Sequence, residues 1–285
     1  MKVLVTGVTG QLGYDVCKIL ERDQVEHQGV SSRDFDLGNR NAVFAFVERY
    51  RPDAVIHCAS YTKVDMAEEE QERCMEVNAC GSRYLAEVCH KIGAKLLLIS
   101  SDYVFPGTGD DFYEVDSPTR PVNVYGSSKA EAEQAVRKIL PKHFIVRISW
   151  VFGKNGGNFI KTMLRLGRSQ NEVRVVEDQI GSPTYTVDLA PLLCQMIATE
   201  NYGTYHATNE GVCSWAELAE AVFQLSELPV HVQHIATNEF PSKAMRPLNS
   251  RMSKQSLDLA GFKRLPPWRD AVQRYLEELR CEVAE

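Results

Sequence analysis

KVLVTGVTGQLG, residues 2–13, decides how the rest of the chain is read. It begins with a short, β-branched, apolar run of the kind that forms a buried strand. Gly7, Gly10 and Gly13 follow at once, and a helical pattern then runs from about Gln11 to Glu21. Glycines spaced this way also serve plain tight turns, and the pattern is GxxGxxG rather than GxGxxG. The context says more than the spacing. A glycine turn between a first strand and a first helix is the setting of the dinucleotide-binding fingerprint. Glycines let the backbone approach a pyrophosphate closely, and the helix N-terminus adds amide donors and positive potential.

Outward from this turn, VEHQGV (25–30) reads as a weaker strand, NAVFAFVERY (41–50) as a helix and DAVIHCAS (53–60) as a third strand. A long helix is expected from about Gln71 to Ile92, and AKLLLIS (94–100) is the most apolar strand. Another helix runs from about Val124 to Leu140, stopped by Pro141, and HFIVRIS (143–149) follows. Strand–helix alternation with continuously apolar strands means a parallel sheet covered on both faces. The expected class is therefore α/β, a Rossmann-like doubly wound parallel sheet with a smaller C-terminal lobe.

After Trp150 the rhythm loosens. NFIKTMLRLG (158–167), VDLAPLLCQMIA (187–198) and SWAELAEAVFQL (214–225) read as helices, VRVV (173–176) as a strand and DQIGSPTY as turns. Pro191 is tolerable only in or near the first turn of its helix. We take residues 1–150 as a dinucleotide-binding domain, rejoined by part of 170–200. Residues 151–285 are then mainly a substrate-binding lobe, with a cleft between the two.

Composition narrows the function. The 285 residues are 44% hydrophobic and 25% charged, as in an ordinary globular protein. A formal charge of -6 argues against a nucleic-acid surface, which needs a basic field. No apolar run approaches the roughly 18–20 residues that span a bilayer, and the N-terminus opens straight into a strand, so a cytoplasmic location is expected. The eight cysteines form no CxxC pair and read as reduced thiols, with Cys17 and Cys89 packing helices. Their spacings suit no metal cluster.

At the end of the second strand, GVSSRDFDLG (29–38) stands where a ribose 2′-hydroxyl would be held. Ser31, Ser32 and Arg33 could cradle a 2′-phosphate, although Asp34 and Asp36 follow. The alternative is an exposed Arg33 with no ligand. NADPH is favoured, and NADH stays open.

The chemistry points to SSDYVF (100–105) and YGSSK (125–129). Ser100 and Ser101 end the strand LLLIS, at the sheet edge that faces the ligand crevice. Tyr125 and Lys129 lie four apart, one turn of a helix from each other. The expectation is that a positive Lys129 lowers the pKa of Tyr125, which donates a proton to a carbonyl oxygen held by the Ser101 hydroxyl. An ordinary Tyr–Lys pair on a solvated helix is the plain alternative. The glycine turn and the strand-end serine together weigh against it.

These residues resemble the extended short-chain dehydrogenase/reductases, and among them the dTDP-4-dehydrorhamnose reductase family. Six blocks carry the resemblance through essentially the whole chain: ASYTKVDMAE (59–68), SSDYVFPGTGD (100–110), NVYGSSKAEAE (123–133), RISWVFGKNGGNFIKTMLRL (147–166), DQIGSPT (178–184) and RPLNSRM (246–252). The resemblance implies NADPH- or NADH-dependent reduction of the C4 keto group of dTDP-4-dehydro-β-L-rhamnose to dTDP-L-rhamnose. It makes Tyr125 the proton donor, gives Lys129 the nicotinamide ribose and Ser101 the keto group, where the family often has threonine. Gly7, Gly10, Gln11 and Leu12 match its pyrophosphate loop, Gly13 closes the glycine pattern, and Asp36 and Leu37 match the adenine contact. Ser60, Tyr61 and Thr62 match the stretch beneath the cofactor. Asp102, Tyr103 and Trp150 match positions near the sugar, and Arg246 sits where a basic residue would face phosphate.

Some members of this family form dimers bridged by magnesium on acidic side chains. Asp15 and Glu278 offer two such positions, but the third appears as Val187, with Asp188 one place later. No metal is therefore expected, and a homodimer through other surfaces stays open. Two rival functions share the fold: a nucleotide-sugar epimerase or dehydratase, and a non-catalytic regulatory subunit like that of methionine adenosyltransferase. SSDYVF lacks the Asp–Glu pair of a dehydratase, which favours net reduction.

Overall fold

In the computed structural model, which describes residues 1–283, strands and helices alternate through the first half of the chain. They are β1 Lys2–Thr6, α1 Gln11–Arg22, β2 Glu26–Val30, α2 Arg40–Tyr50, β3 Ala54–His57, α3 Val64–Ala67, α4 Gln71–Met75, α5 Gly81–Ile92, β4 Lys95–Ser101, α6 Val124–Ile139 and β5 His143–Ile148. The long helix expected over 71–92 is interrupted. One π-helical turn, Glu76–Cys80, joins α4 to α5.

Side-chain alternation explains why these strands form a covered sheet. In β1, Val3 and Val5 join a cluster with Leu12 and Val16 of α1, while Leu4 packs on the other face with Val43 and Val47 of α2. In β4, Leu97 and Ile99 face the first cluster, and Leu96 and Leu98 the second. Both faces are dry, so each strand reads as a continuous apolar run.

The second half contributes β6 Val151–Phe152, α7 Phe159–Gly167, β7 Glu172–Val176, β8 Ile180–Gly181, β9 Thr184–Tyr185, α8 Thr186–Ile197, β10 Gly203–His206, β11 Asn209–Glu210 and β12 Cys213–Ser214. It continues with α9 Trp215–Leu225, β13 His231–Ile235, α10 Gln255–Leu259, β14 Leu265–Pro267 and α11 Trp268–Val283. The central sheet has the order β2-β1-β3-β4-β5-β10, parallel throughout. The chain leaves β1 towards β2 on one side and meets β3 on the other. That is the topological switch point outside which α/β proteins bind ligands.

Pro191 departs from expectation, because it sits inside α8, beyond its first turn. It has no N–H for the Val187 carbonyl, a loss comparable to other interior prolines. Burial outweighs it: Leu189, Leu193 and Ile197 are wholly enclosed in the cluster that α8 shares with α1. The smaller lobe packs α7, α9 and α11 against the parallel pair of β7 and β13. Ser214 and Glu217 form a capping box that starts α9.

Candidate active site

A cleft of about 690 Å³ opens at the carboxyl ends of the central strands. Gly7, Gly10, Gln11, Leu12, Gly13, Asp36, Leu37, Ser60, Thr62, Ser101, Asp102, Tyr103, Tyr125, Lys129 and Trp150 all line it. Arg33, Tyr61 and Arg246 do not.

The wall beneath α1 is made of backbone. Gly7 has φ +76°, and a Cβ there would lie 2.6 Å from the Ala59 nitrogen. A Cβ on Gly13 would lie 2.4 Å from the Gly7 carbonyl oxygen. Only glycine fits either position. Gly10 begins α1 with no side-chain cap and no acidic residue in the first turn, so the first amides and the positive helix end face the cleft. The Thr6 hydroxyl accepts from the Ala59 amide at 3.2 Å and meets His57 Nδ1 at 2.7 Å, which ties β1 to the loop after β3.

At the ribose end the expectation for Arg33 needs correction. Asp34 accepts from the Ser31 amide and hydroxyl, closing a tight turn that leaves Arg33 exposed at its tip. The cation on this wall is Arg73 of α4, which bonds Asp36 at 2.9 Å and Glu76 at 3.2 Å. The pairing holds the Asp36 carboxyl below the usual carboxylate range. Nothing near GVSSRDFDLG in sequence announces Arg73, which arrives only through folding.

Behind Ser60 lies Asn78, buried in the π-helical turn. Its Oδ1 accepts from the Ser60 hydroxyl (2.9 Å) and the Tyr61 amide (2.7 Å), and its Nδ2 donates to Ser128 Oγ of α6 (2.9 Å). A π-turn re-aims one side chain out of helical register. Asn78 thereby links the stretch beneath the cleft to the helix that carries Tyr125. The Tyr61 ring turns away, its hydroxyl donating to Glu70 at 2.8 Å.

Two contacts seat α6. Asn123 caps it by accepting from the Gly126 amide at 2.7 Å. Gly126 lies so close beneath Tyr103 that a Cβ would stand 2.2 Å from its carbonyl oxygen. Tyr125, Lys129 and Glu133 share one face of the helix. Glu133, fully buried, holds Arg147 at 2.8 Å through both oxygens and accepts from Ser100 at 2.6 Å. His206 donates from Nδ1 to the Ser253 carbonyl and receives Arg147 at Nε2, so it is a packed residue at the end of β10.

The electrostatics differ from the expectation that Lys129 acidifies Tyr125. Enclosure of the phenol, and after it the neighbouring Asp102 charge, push Tyr125 well above its ordinary value. Lys129 itself is buried, which lowers it to about 8 despite Glu133, and its Nζ reaches Ser60 Oγ at 3.5 Å. Burial is the largest influence on both groups. Tyr125 is consequently a protonated phenol at neutral pH.

Ser101 also differs from its expected donor role. Its hydroxyl donates to Asp102 Oδ1 at 2.8 Å and accepts from the Tyr103 amide at 3.2 Å. Tyr103 sets its ring edge-on to Tyr125 at 5.5 Å. Arg246 donates to the Tyr103 hydroxyl at 3.2 Å and pairs with Asp65 at 2.5 Å, one step outside the cleft. Trp150 has φ +49°, unusual for a bulky side chain. Its ring stacks on Trp215 at 3.8 Å, an aromatic wall whose second member carries no sequence signal beyond starting α9.

Each acidic position near α11 has a partner of its own. Asp15 accepts from Thr186 at 2.5 Å, Glu278 accepts from Tyr185 at 2.7 Å, and Asp188 is clamped by Arg274 at 2.7 Å on each oxygen. No group of three ligating side chains is placed for a metal among the described residues. No described helix is long and apolar enough to cross a membrane.

The RmlD substrate binding domain model matches residues 1–281. The chain belongs to this family. It is 39% identical over 277 residues to the Bacillus subtilis spore coat polysaccharide biosynthesis protein SpsK, covering 97% of both chains. It is 36% identical over 294 residues to dTDP-4-dehydrorhamnose reductase of Aggregatibacter actinomycetemcomitans, covering 98% of each. The crystal structure of dTDP-4-dehydrorhamnose reductase from Bacillus anthracis in complex with NADP superposes with a TM-score of 0.95 at 42% identity, over 97% of this chain and 99% of that one.

Proposed function

We propose that the protein reduces the C4 keto group of dTDP-4-dehydro-β-L-rhamnose to dTDP-L-rhamnose with NADPH. One observation carries the reading: a protonated Tyr125 stands in the same cleft as buried Lys129 and the uncapped, glycine-built N-terminus of α1. Reductases of this name at matching length supply the nucleotide and the sugar, and an NADP complex of one supplies the cofactor.

The residues fit that cofactor. Gly7, Gly10, Gln11, Leu12 and Gly13 would hold the pyrophosphate on bare backbone and the uncapped helix end. Asp36 and Leu37 would meet the adenosine half, with Arg73 rather than Arg33 beside its 2′-phosphate. Ser60, Tyr61 (through its backbone), Thr62 and Lys129 would support the nicotinamide half. When bound, NADPH supplies the hydride.

Tyr125 supplies the proton. A phenol held above its ordinary pKa keeps its proton until a stronger base forms beside it, and the oxygen of a ketone under reduction is such a base. Lys129, still cationic at neutral pH, stabilises the phenolate left behind. Tyr103, Trp150 and Trp215 present rings to the sugar, and Arg246 lies within one rearrangement of the diphosphate. The reaction is read as cytoplasmic.

The test is purified protein with dTDP-4-dehydrorhamnose and NADPH, following cofactor absorbance and separating products by chromatography. Stoichiometric NADPH loss with dTDP-L-rhamnose formed is the expected result. Tight NADPH binding without turnover would sink it.

A further inference from the structure

Residues 245–252 run from the smaller lobe across the segment that follows β4. Ser250 is bonded through its amide to the Ile180 carbonyl of β8 at 2.7 Å, and Asn249 through its amide to the Gly107 carbonyl at 3.0 Å. At the centre of this seam Ser250 Oγ donates to Asp102 Oδ2 at 2.5 Å. Asp102 Oδ1 is taken by Ser101 at 2.8 Å, and both serines and the aspartate are nine-tenths or more buried.

We propose that Asp102 and Ser250 are positioning residues for the reduction, together fixing the direction of the Ser101 hydroxyl so that it accepts from Tyr125 rather than donating to substrate. The inference rests on the reductase reading. A carboxylate is an acceptor only. With Ser101 and Ser250 each committing a proton to it, the remaining lone pair of Ser101, beside the one that takes the Tyr103 amide, is open to the phenol O–H. The hydroxyl of Tyr125 is thus parked with its proton in place, and it turns to the ketone oxygen when the sugar enters. Because Ser250 comes from the sugar-binding lobe, the seating of that lobe sets the alignment.

The groups facing Asp102 are Ser101 and Tyr103 beside it, Tyr125 from α6 and Ser250 from the lobe, with Arg246 one step beyond on the Tyr103 hydroxyl. Burial raises Asp102 to about 6, and the two hydroxyls act against that rise. Protonation below this value gives the carboxyl a proton of its own and frees Ser101 to rotate. Activity should fall on the acid side near pH 6.

Ser250→Ala removes one donor to the carboxylate. Its acid limb in kcat should move up by about one pH unit, the scale of a lost bond to a charged group. The KM for NADPH should stay within about twofold, since no cofactor contact changes. Asp102→Asn should lower kcat about tenfold and lose that limb, while Ser250→Thr keeps the hydroxyl and the wild-type limb. The infrared carbonyl stretch of the buried acid, assigned by its loss in Asp102→Asn, gives a second readout that needs no substrate. It should titrate near 6 in the wild-type protein and higher in Ser250→Ala. If limb and band stay in place in Ser250→Ala, the inference is overturned. A wild-type protein inert towards the keto sugar would end the reductase reading, and the infrared titration would still decide the coupling of Ser250 to Asp102.

Discussion

The two walls of the cleft are built in different ways. The wall under α1 is backbone: Gly7, Gly13 and the first amides of α1 all come from one short loop, and the shape depends on what those residues lack. The opposite wall is side chains gathered from distant parts of the chain, among them Ser101, Tyr125, Trp150 and Trp215. The backbone wall is sensitive to a single added methyl and has no titratable group of its own. The side-chain wall depends on where protons and charges sit.

That contrast can be broken most sharply at Tyr125. Tyr125→Phe should lower kcat by about 10²–10⁴-fold, the scale of acid–base catalysis, with NADPH affinity within about twofold by titration. Comparable losses in both would erase the distinction between the walls. Gly7→Ala is the converse. Its methyl meets the Ala59 nitrogen in left-handed backbone, so NADPH binding should weaken by about 10–100-fold, with about 2 kcal/mol of stability lost in urea unfolding.

A smaller effect comes from pH. Burial lowers Lys129 to about 8, so its charge is present below that value and is lost as pH rises through it. The rate constant kcat/KM should then fall about tenfold per pH unit on the alkaline side. A flat profile to pH 10 would remove Lys129 from the free enzyme's chemistry. The smallest effect separates two arginines. Arg73→Ala leaves Asp36 uncompensated beside the 2′-phosphate and should weaken NADPH about tenfold while sparing NADH. Arg33→Ala should change neither by more than about twofold, and the reverse order would restore the reading made from the sequence.

The backbone wall was the legible one. A glycine turn between strand and helix is local, and its consequence follows from sterics alone. The meeting of Ser101, Tyr125 and Lys129 was also readable, because a strand end and one helical turn are short-range facts. Charge states were not. Whether a cation or burial governs a phenol depends on how much surrounds it, and only the packed structure shows Asp102 beside Tyr125 and Lys129 itself desolvated. Arg73 lines the cleft and Arg33 does not for the same kind of reason: an exposed turn tip and a helix arriving from elsewhere look alike in sequence. Pro191 was misjudged because local geometry was weighed without the apolar contacts that hold α8.

The π-helical turn at Glu76–Cys80 makes the chain tolerant of a change that helices rarely survive. Deleting one residue from an α-helix swings everything downstream by about 100° and carries its apolar stripe out of the core. A π-turn already contains one residue too many. Removing Val77 would relax it to ordinary pitch and leave Leu85, Ala86 and Cys89 of α5 facing the sheet as before. Such a shortened protein should melt close to the full-length one. It would forfeit the bracket between Ser60 and α6, and with it the steady seating of Lys129.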